Sequence, residues 1–376
     1  MKKIVNPFIT TGYLSPQYFC DREEETRQLI ENIANGNNVA LISSRRMGKT
    51  GLITHFFQKK EVQKDYLTFF IDIYSTGSLR DFVFILSKEI VERLKPFDKK
   101  ATETFWSTVK SLQTGISFNP MGVPSFNLKL GEIQSVETTL DEIFRYLNSA
   151  GKPCLVAIDE FQQISHYTEK NVEALLRTHI QRCQNARFIF AGSQRHIMDK
   201  MFTSASRPFY QSVSIQHLES IPMEQYIQFA LLHFRENKKL ISPEIVEIVY
   251  RQFDGITWYL QKILNTLYAM TAPEGKVTKQ MVCEAIESNV QSYKYAFSET
   301  LFRLPAKQKE LLIAIAREGN AKAITSAAFV RKNSLTSSSS VQAALKGLLD
   351  KDFVTLEKGA YRVYDRFLAI WINENF

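Results

Sequence analysis

The chain has 376 residues, 44% of them hydrophobic and 23% charged, with a formal net charge of +8. That is too long for one ordinary core and suits two or three domains of roughly 100 to 200 residues each, while the composition excludes wholesale disorder and fibrous repeats. No apolar run approaches the ~18 residues of a membrane span, and Asn6 and Pro7 break the start before a signal-peptide core can form, so a cytoplasmic protein with no membrane partner is expected.

Residues 21–34 read as a helix, with Asp21 as its cap, Glu24 completing a capping box and Gly36 beyond its end. Residues 39–42, Val-Ala-Leu-Ile, form an uninterrupted apolar run, the signature of a parallel strand buried on both faces. The run leads straight into Ser43, Ser44, Arg45, Arg46, Met47, Gly48, Lys49, Thr50 and Gly51. A helix over 50–60 should follow, then strand 68–73, helix 78–95, strand 154–158, helix 172–183, strand 188–191 and a last strand at 213–215. This alternation implies an α/β fold over residues 1–215, a parallel sheet with helices on both faces. Residues 96–135 break the rhythm. There, 116–119 and 126–130 around Pro120, Gly122 and Pro124 read as a hairpin insert, placed to cover a pocket or meet a partner.

After residue 216 the apolar period becomes 3.6, predicting helices over 222–238, 242–253, 257–270 and 278–304 and an all-α domain over 216–300. Ser242 caps one of them, Pro243 takes its first position and Gly255 closes it. Residues 301–376 predict helices at 306–317, 325–332 and 337–350 and then a hairpin whose loop is 357–360, which together make a winged helix. Twelve Lys/Arg against seven Asp/Glu fall in this segment, which favours a polyanionic partner there. Cys20, Cys154, Cys183 and Cys283 have no metal-binding spacing and read as reduced packing thiols.

Chemistry concentrates at two strand ends. A turn running into a helix at Gly48-Lys49-Thr50 aims backbone N–H groups at phosphates, with the Lys49 amine for the β/γ oxygens and the Thr50 hydroxyl for Mg²⁺. The triplet alone is common, but its position between a buried strand and a helix is the one phosphate binding requires. Strand 154–158 then delivers Asp159 and Glu160 at its C-terminal end, Asp159 for Mg²⁺ and Glu160 to activate the attacking water. ATP and Mg²⁺ are therefore the expected ligands.

The chain resembles the archaeal-type ATPase family of the STAND class of AAA+ P-loop NTPases. The resemblance rests on Phe19-x-x-Arg22-Glu23, Arg45-Arg46-Met47-Gly48-Lys49-Thr50, Ile158-Asp159-Glu160-Phe161-Gln162, Phe190-Ala191-Gly192-Ser193, Arg207-Pro208-Phe209-Tyr210, and Tyr361-Arg362-Val363-x-Asp365-x-Phe367 with Trp371. It implies a P-loop NTPase domain of the ASCE/AAA+ kind, a helical lid over 216–300 and the winged helix over 301–376. It also implies Walker A residues 44–51, a Walker B acid pair, Ser193 as the sensor of the γ-phosphate and Arg207 as an arginine finger acting within the chain or on a neighbour. Two positions depart from the family pattern: Ser43 stands for the usual first glycine, and Thr257 for a lid proline.

Such a protein would be a slow Mg²⁺-dependent ATPase that uses nucleotide state to switch lid and winged helix. The alternative is a non-hydrolysing, nucleotide-gated DNA-binding or adaptor protein. DNA would meet Ser338, Ser339, Gln342 and Lys346, flanked by Arg331, Lys332, Lys351 and Lys358; self-association or a protein partner are the other expectations.

Overall fold

The computed structural model describes residues 6–376 except 95–98, 116, 119–123, 126–134 and 358. The chain divides into two compact units, one of residues 7–226 with 255–261 and the other of 227–254 with 262–376.

The first unit is built on a sheet of five parallel strands: β1 (Val39–Ile42), β2 (Leu67–Asp72), β5 (Cys154–Asp159), β6 (Ala186–Gly192) and β7 (Ser214–His217), in the order β2-β5-β6-β1-β7. β3 (Ser117–Phe118) and β4 (Pro124–Ser125) form a separate antiparallel pair within the expected hairpin insert. The expected arm 126–130 lies outside the described residues.

The all-apolar reading of β1 follows from its interior place between β6 and β7. Ala40 and Ile42 face one core with Phe69, Ile71, Val156, Ile158, Phe188 and Phe190, while Val39 and Leu41 face a second with Leu155, Ala157, Ile189 and Ala191. Both faces of the sheet are thus covered, and each fully buried aliphatic or Phe side chain contributes about 1.5–3 kcal/mol.

Several elements differ from the sequence reading. Asp21 does not cap the first helix: Asp21 and Arg22 both have positive φ, and helix Glu23–Ala34 starts after Arg22 without a side-chain cap. Arg22 is buried and donates to the Met47 carbonyl at 3.2 Å, so a contact distant in sequence sets the local backbone. The helix after the loop is Lys49–Phe57, followed by a separate helix Lys60–Asp65. Helices Lys99–Thr108, Val136–Ser149 and Arg195–Thr203 were not foreseen.

The second unit is helical and ends in a winged helix. Helix Pro243–Gln252 begins with proline at its first turn, but the Ser242 hydroxyl donates to Glu244 rather than capping the backbone. The long helix expected over 278–304 is two, Lys279–Ser292 and Lys294–Arg303. Helices Ala306–Glu318, Ala327–Lys332 and Ser338–Asp350 are followed by the hairpin of β8 (Val354–Glu357) and β9 (Ala360–Val363) and by helix Arg366–Asn375. An isolated antiparallel bridge ties Ala321 to Tyr361 of the wing. Arg362 of the wing and Arg366 at the start of the last helix both pair with Asp254, at 2.7 and 3.4 Å, so both are occupied inside this unit.

Cys20, Cys154 and Cys183 are buried and Cys283 exposed, none in a disulfide; burial pushes the Cys183 thiol up to about 11 and the Cys154 thiol to about 12. Among the described residues no helix is long and apolar enough to cross a membrane.

Candidate functional site

Sheet order decides which strand ends meet. β6 lies between β1 and β5, so the loop after β1, the residue after β6 and the acid pair closing β5 converge on one edge of the sheet. In open α/β sheets ligands bind at the carboxyl ends of the strands, where the order reverses.

The loop after β1 turns at Gly48, whose φ of +91° is open to glycine alone at little cost, and helix Lys49–Phe57 starts at once behind it. Its free N–H groups therefore point into the turn. Lys49 is buried, and its Nζ donates to the Ser43 hydroxyl at 3.3 Å. Burial lowers its affinity for the proton, the Asp159 and Glu160 carboxylates oppose that, and the Arg45 charge adds to it. A buried ammonium whose partner is a neutral hydroxyl is set to receive an anion. Ser43, in the place of the usual glycine, supplies that hydroxyl, which also donates to the Ser44 carbonyl at 2.9 Å.

Across the edge, the Thr50 hydroxyl donates to Asp159 Oδ2 at 2.7 Å, and Asp159 Oδ1 accepts the Glu160 amide at 3.0 Å. Burial raises the Asp159 pKa, against the Thr50 hydrogen bond and the Lys49 charge. The pair Thr50 and Asp159 is a hard oxygen set of the kind Mg²⁺ takes together with phosphate oxygens.

Glu160, at φ +56°, turns its carboxylate toward the end of β6. Its Oε2 accepts the Ser193 hydroxyl at 2.6 Å and the Gln162 amide. The Ser193 backbone N–H donates to Gln162 Oε1 at 3.3 Å, which closes a three-residue ring, and Arg45 Nε donates to the Ser193 hydroxyl at 3.3 Å.

A cavity of about 410 Å³ runs from this centre to the N-terminal segment. Arg45, Arg46, Met47, Gly48, Lys49, Thr50, Gly51 and Glu160 line one end, and Tyr13, Tyr18 and Phe19 the other. Phe19 stacks on His55 with ring centroids 4.6 Å apart, and His55 Nδ1 is 2.8 Å from the Tyr13 hydroxyl. Burial and the nearby Lys59 keep the imidazole pKa low, which favours a neutral ring in that stack.

Arg46 turns to helix Thr257–Met270. Its guanidinium lies 4.4 Å from the Trp258 ring centroid and 5.0 Å from that of Tyr259, whose hydroxyl it also meets, and its carbonyl accepts the Trp258 amide at 3.0 Å. The Thr257 hydroxyl, in place of the lid proline, donates to the Met47 carbonyl at 3.3 Å.

The structure thus brings together Arg45, Lys49, Thr50, Asp159, Glu160 and Ser193. It does not bring Arg207 to them: Arg207 pairs with Glu173, outside the cavity lining, and Phe209 two residues on packs on Phe161 at 5.5 Å. Sequence reasoning gave no role to Gln162, although it stands two residues after the acid pair, nor to Arg22, although it belongs to the Phe19-x-x-Arg22-Glu23 signature.

A five-stranded parallel sheet in this order, with a phosphate-type loop after the interior strand β1 and an acid pair on β5, the strand two places away, defines a P-loop ATPase fold of the AAA+-like kind, here followed by a winged helix. The chain belongs to the ATPase domain family found predominantly in Archaea, whose family model matches residues 19–263. Residues 295–374 match a second model, described as a probable winged helix domain. Among solved structures, the Walker-type ATPase PABY2304 of Pyrococcus abyssi is similar over 98% of this chain and 99% of its own, at 21% identity and a TM-score of 0.68. The Aeropyrum pernix ORC2 protein, solved as ADPNP-ADP complexes, is similar over 98% and 96%, at 15% identity and TM-score 0.60. The A. pernix ORC1 protein in complex with DNA is similar over 96% and 94%, at 14% and 0.54. No curated protein sequence matches the chain.

Proposed function

We propose that the chain binds ATP with Mg²⁺ and hydrolyses it slowly, using nucleotide state to switch its lid and winged helix. The observation that carries this reading is the Thr50 hydroxyl held 2.7 Å from the Asp159 carboxylate beside the buried Lys49 amine, with Glu160 and Ser193 bonded to each other on the same edge.

Each residue then has a task. Residues 44–51 wrap the phosphates with backbone N–H groups, Lys49 holds the β/γ oxygens, and Tyr13 and Phe19 face the base. Thr50 and Asp159 hold Mg²⁺, which when bound neutralises charge on the phosphate oxygens. Glu160 takes a proton from the attacking water as its oxygen bonds to the γ-phosphorus and the bond to the β-phosphate oxygen breaks. Ser193 steadies Glu160 and stands next to the terminal phosphate.

Phosphate release and ATP binding measured for the wild type, Lys49→Ala and Glu160→Gln test the reading. Glu160→Gln should keep binding and lose turnover by roughly 10²-fold or more, and Lys49→Ala should lose binding. Equal turnover in wild type and Glu160→Gln would discard the assigned base.

A second reading concerns the winged helix, for which we propose duplex DNA as partner. Ser338, Ser339, Gln342 and Lys346 are exposed on helix Ser338–Asp350, with exposed Arg331, Lys332 and Lys351 nearby. Hydroxyl, amide and amine groups on one helix face suit phosphates and base edges. Fluorescence anisotropy should show affinity falling about tenfold or more between roughly 50 and 200 mM salt, the loss two or more released counterions produce. No binding at low salt would end this reading.

A further inference from the structure

We propose that Arg45, inside the phosphate loop, is the arginine that stabilises the transferring phosphoryl group, so that the catalytic centre is complete within one chain. The inference rests on the ATP reading above and names the cation that reading lacks.

The loose transition state of phosphoryl transfer spreads charge over three equatorial oxygens, and a guanidinium fork suits that spread better than a point charge does. Three other arginines compete for the role. Arg22 is buried, paired with Glu25 at 2.5 Å and bonded to the Met47 carbonyl. Arg46 is stacked on Trp258 and Tyr259 at the lid side. Arg207 pairs with Glu173 outside the cavity.

Arg45 differs in position. Its Nε is 3.3 Å from the Ser193 hydroxyl, which is itself 2.6 Å from the Glu160 carboxylate. Its guanidinium carbon lies over the Tyr74 ring, 5.8 Å from the centroid, within reach of a cation–π attraction. If Thr50 and Asp159 hold the metal, a terminal phosphate must sit beside Lys49 and Glu160, and Arg45 lines the cavity together with both. Since β1 and β6 are neighbours, the loop after one and the serine after the other are brought together by the sheet itself.

The test uses the full chain and two variants, Arg45→Ala and Arg45→Lys, with three readouts: phosphate release, the affinities for ADP and ATPγS, and retention of ADP with aluminium fluoride. The expected result for Arg45→Ala is a turnover loss of about 10²-fold or more, ADP affinity within about threefold of wild type, and no stable ADP–aluminium fluoride complex. Arg45→Lys should recover only a small part, and turnover per wild-type chain should not change with protein concentration. Turnover of Arg45→Ala within about fivefold of wild type, or equal losses of ADP and ATPγS affinity, overturns the proposal; turnover per chain that rises with protein concentration overturns its single-chain part. If the wild type binds ATPγS yet releases no phosphate, the hydrolysis reading fails separately. The ATPγS-to-ADP affinity ratio then judges Arg45: a fall of about tenfold or more in Arg45→Ala supports it and an unchanged ratio overturns it. A wild type that binds neither nucleotide overturns both.

Discussion

Gly192, the last residue of β6, shows how tightly single residues define this site. A Cβ there would lie 2.6 Å from Gln162 Oε1 and still closer to the Met198 side chain. Gly192→Ala should therefore cost about 1–3 kcal/mol by overpacking, read as a lower urea midpoint. It should also push Gln162 away from Glu160 and Ser193, and phosphate release should fall about tenfold with ADP affinity kept. Turnover unchanged in a destabilised variant would separate Gln162 from the chemistry. Lys49, Thr50, Asp159 and Glu160 could be picked out in the sequence because each belongs to a short contiguous motif that follows or closes an apolar strand. Gln162, Arg22 and the division of labour between Arg45 and Arg46 could not, because their roles depend on residues more than twenty positions away: Ser193, Met47 and Trp258.

Among the elements, strands were easier to read than helix ends. Strands β1 and β5 carry unbroken apolar runs, Val39–Ile42 and residues 154–158, whereas caps depend on atoms that competing partners can take. Asp21 and Ser242 both looked like caps and neither bonds a backbone amide of its helix. Ser135 and Asp365, to which the sequence reading gave no such role, do. Asp365 accepts from the Phe367 and Leu368 amides at 2.9 and 3.3 Å and starts helix Arg366–Asn375, which buries Phe367, Leu368, Trp371 and Ile372. Asp365→Ala should destabilise by about 1 kcal/mol, and Asp365→Asn by less, as followed by urea unfolding with tryptophan fluorescence. Identical midpoints for wild type and Asp365→Ala would show that packing alone holds that helix. The periodicity of helix Val136–Ser149 is hard to read in the sequence because its first turn, Val-Glu-Thr-Thr, is rich in β-branched residues.

For the whole molecule, the apolar alternation determined an α/β portion followed by helices and a wing, and the two motif-bearing strand ends determined where chemistry had to lie. Those features are local: period, strand length and a glycine at a turn are written in neighbouring residues. Which strand stands beside which is not local, since the order β2-β5-β6-β1-β7 arises from crossovers that join distant segments. Only that order sets Ser193 between the loop at Lys49 and the acids at 159 and 160, turns Arg45 inward and leaves Arg207 paired with Glu173. The sequence thus determined the parts and their chemistry, and the tertiary structure decided their neighbours, because side-chain partners are chosen by packing across the sheet and not by position along the chain.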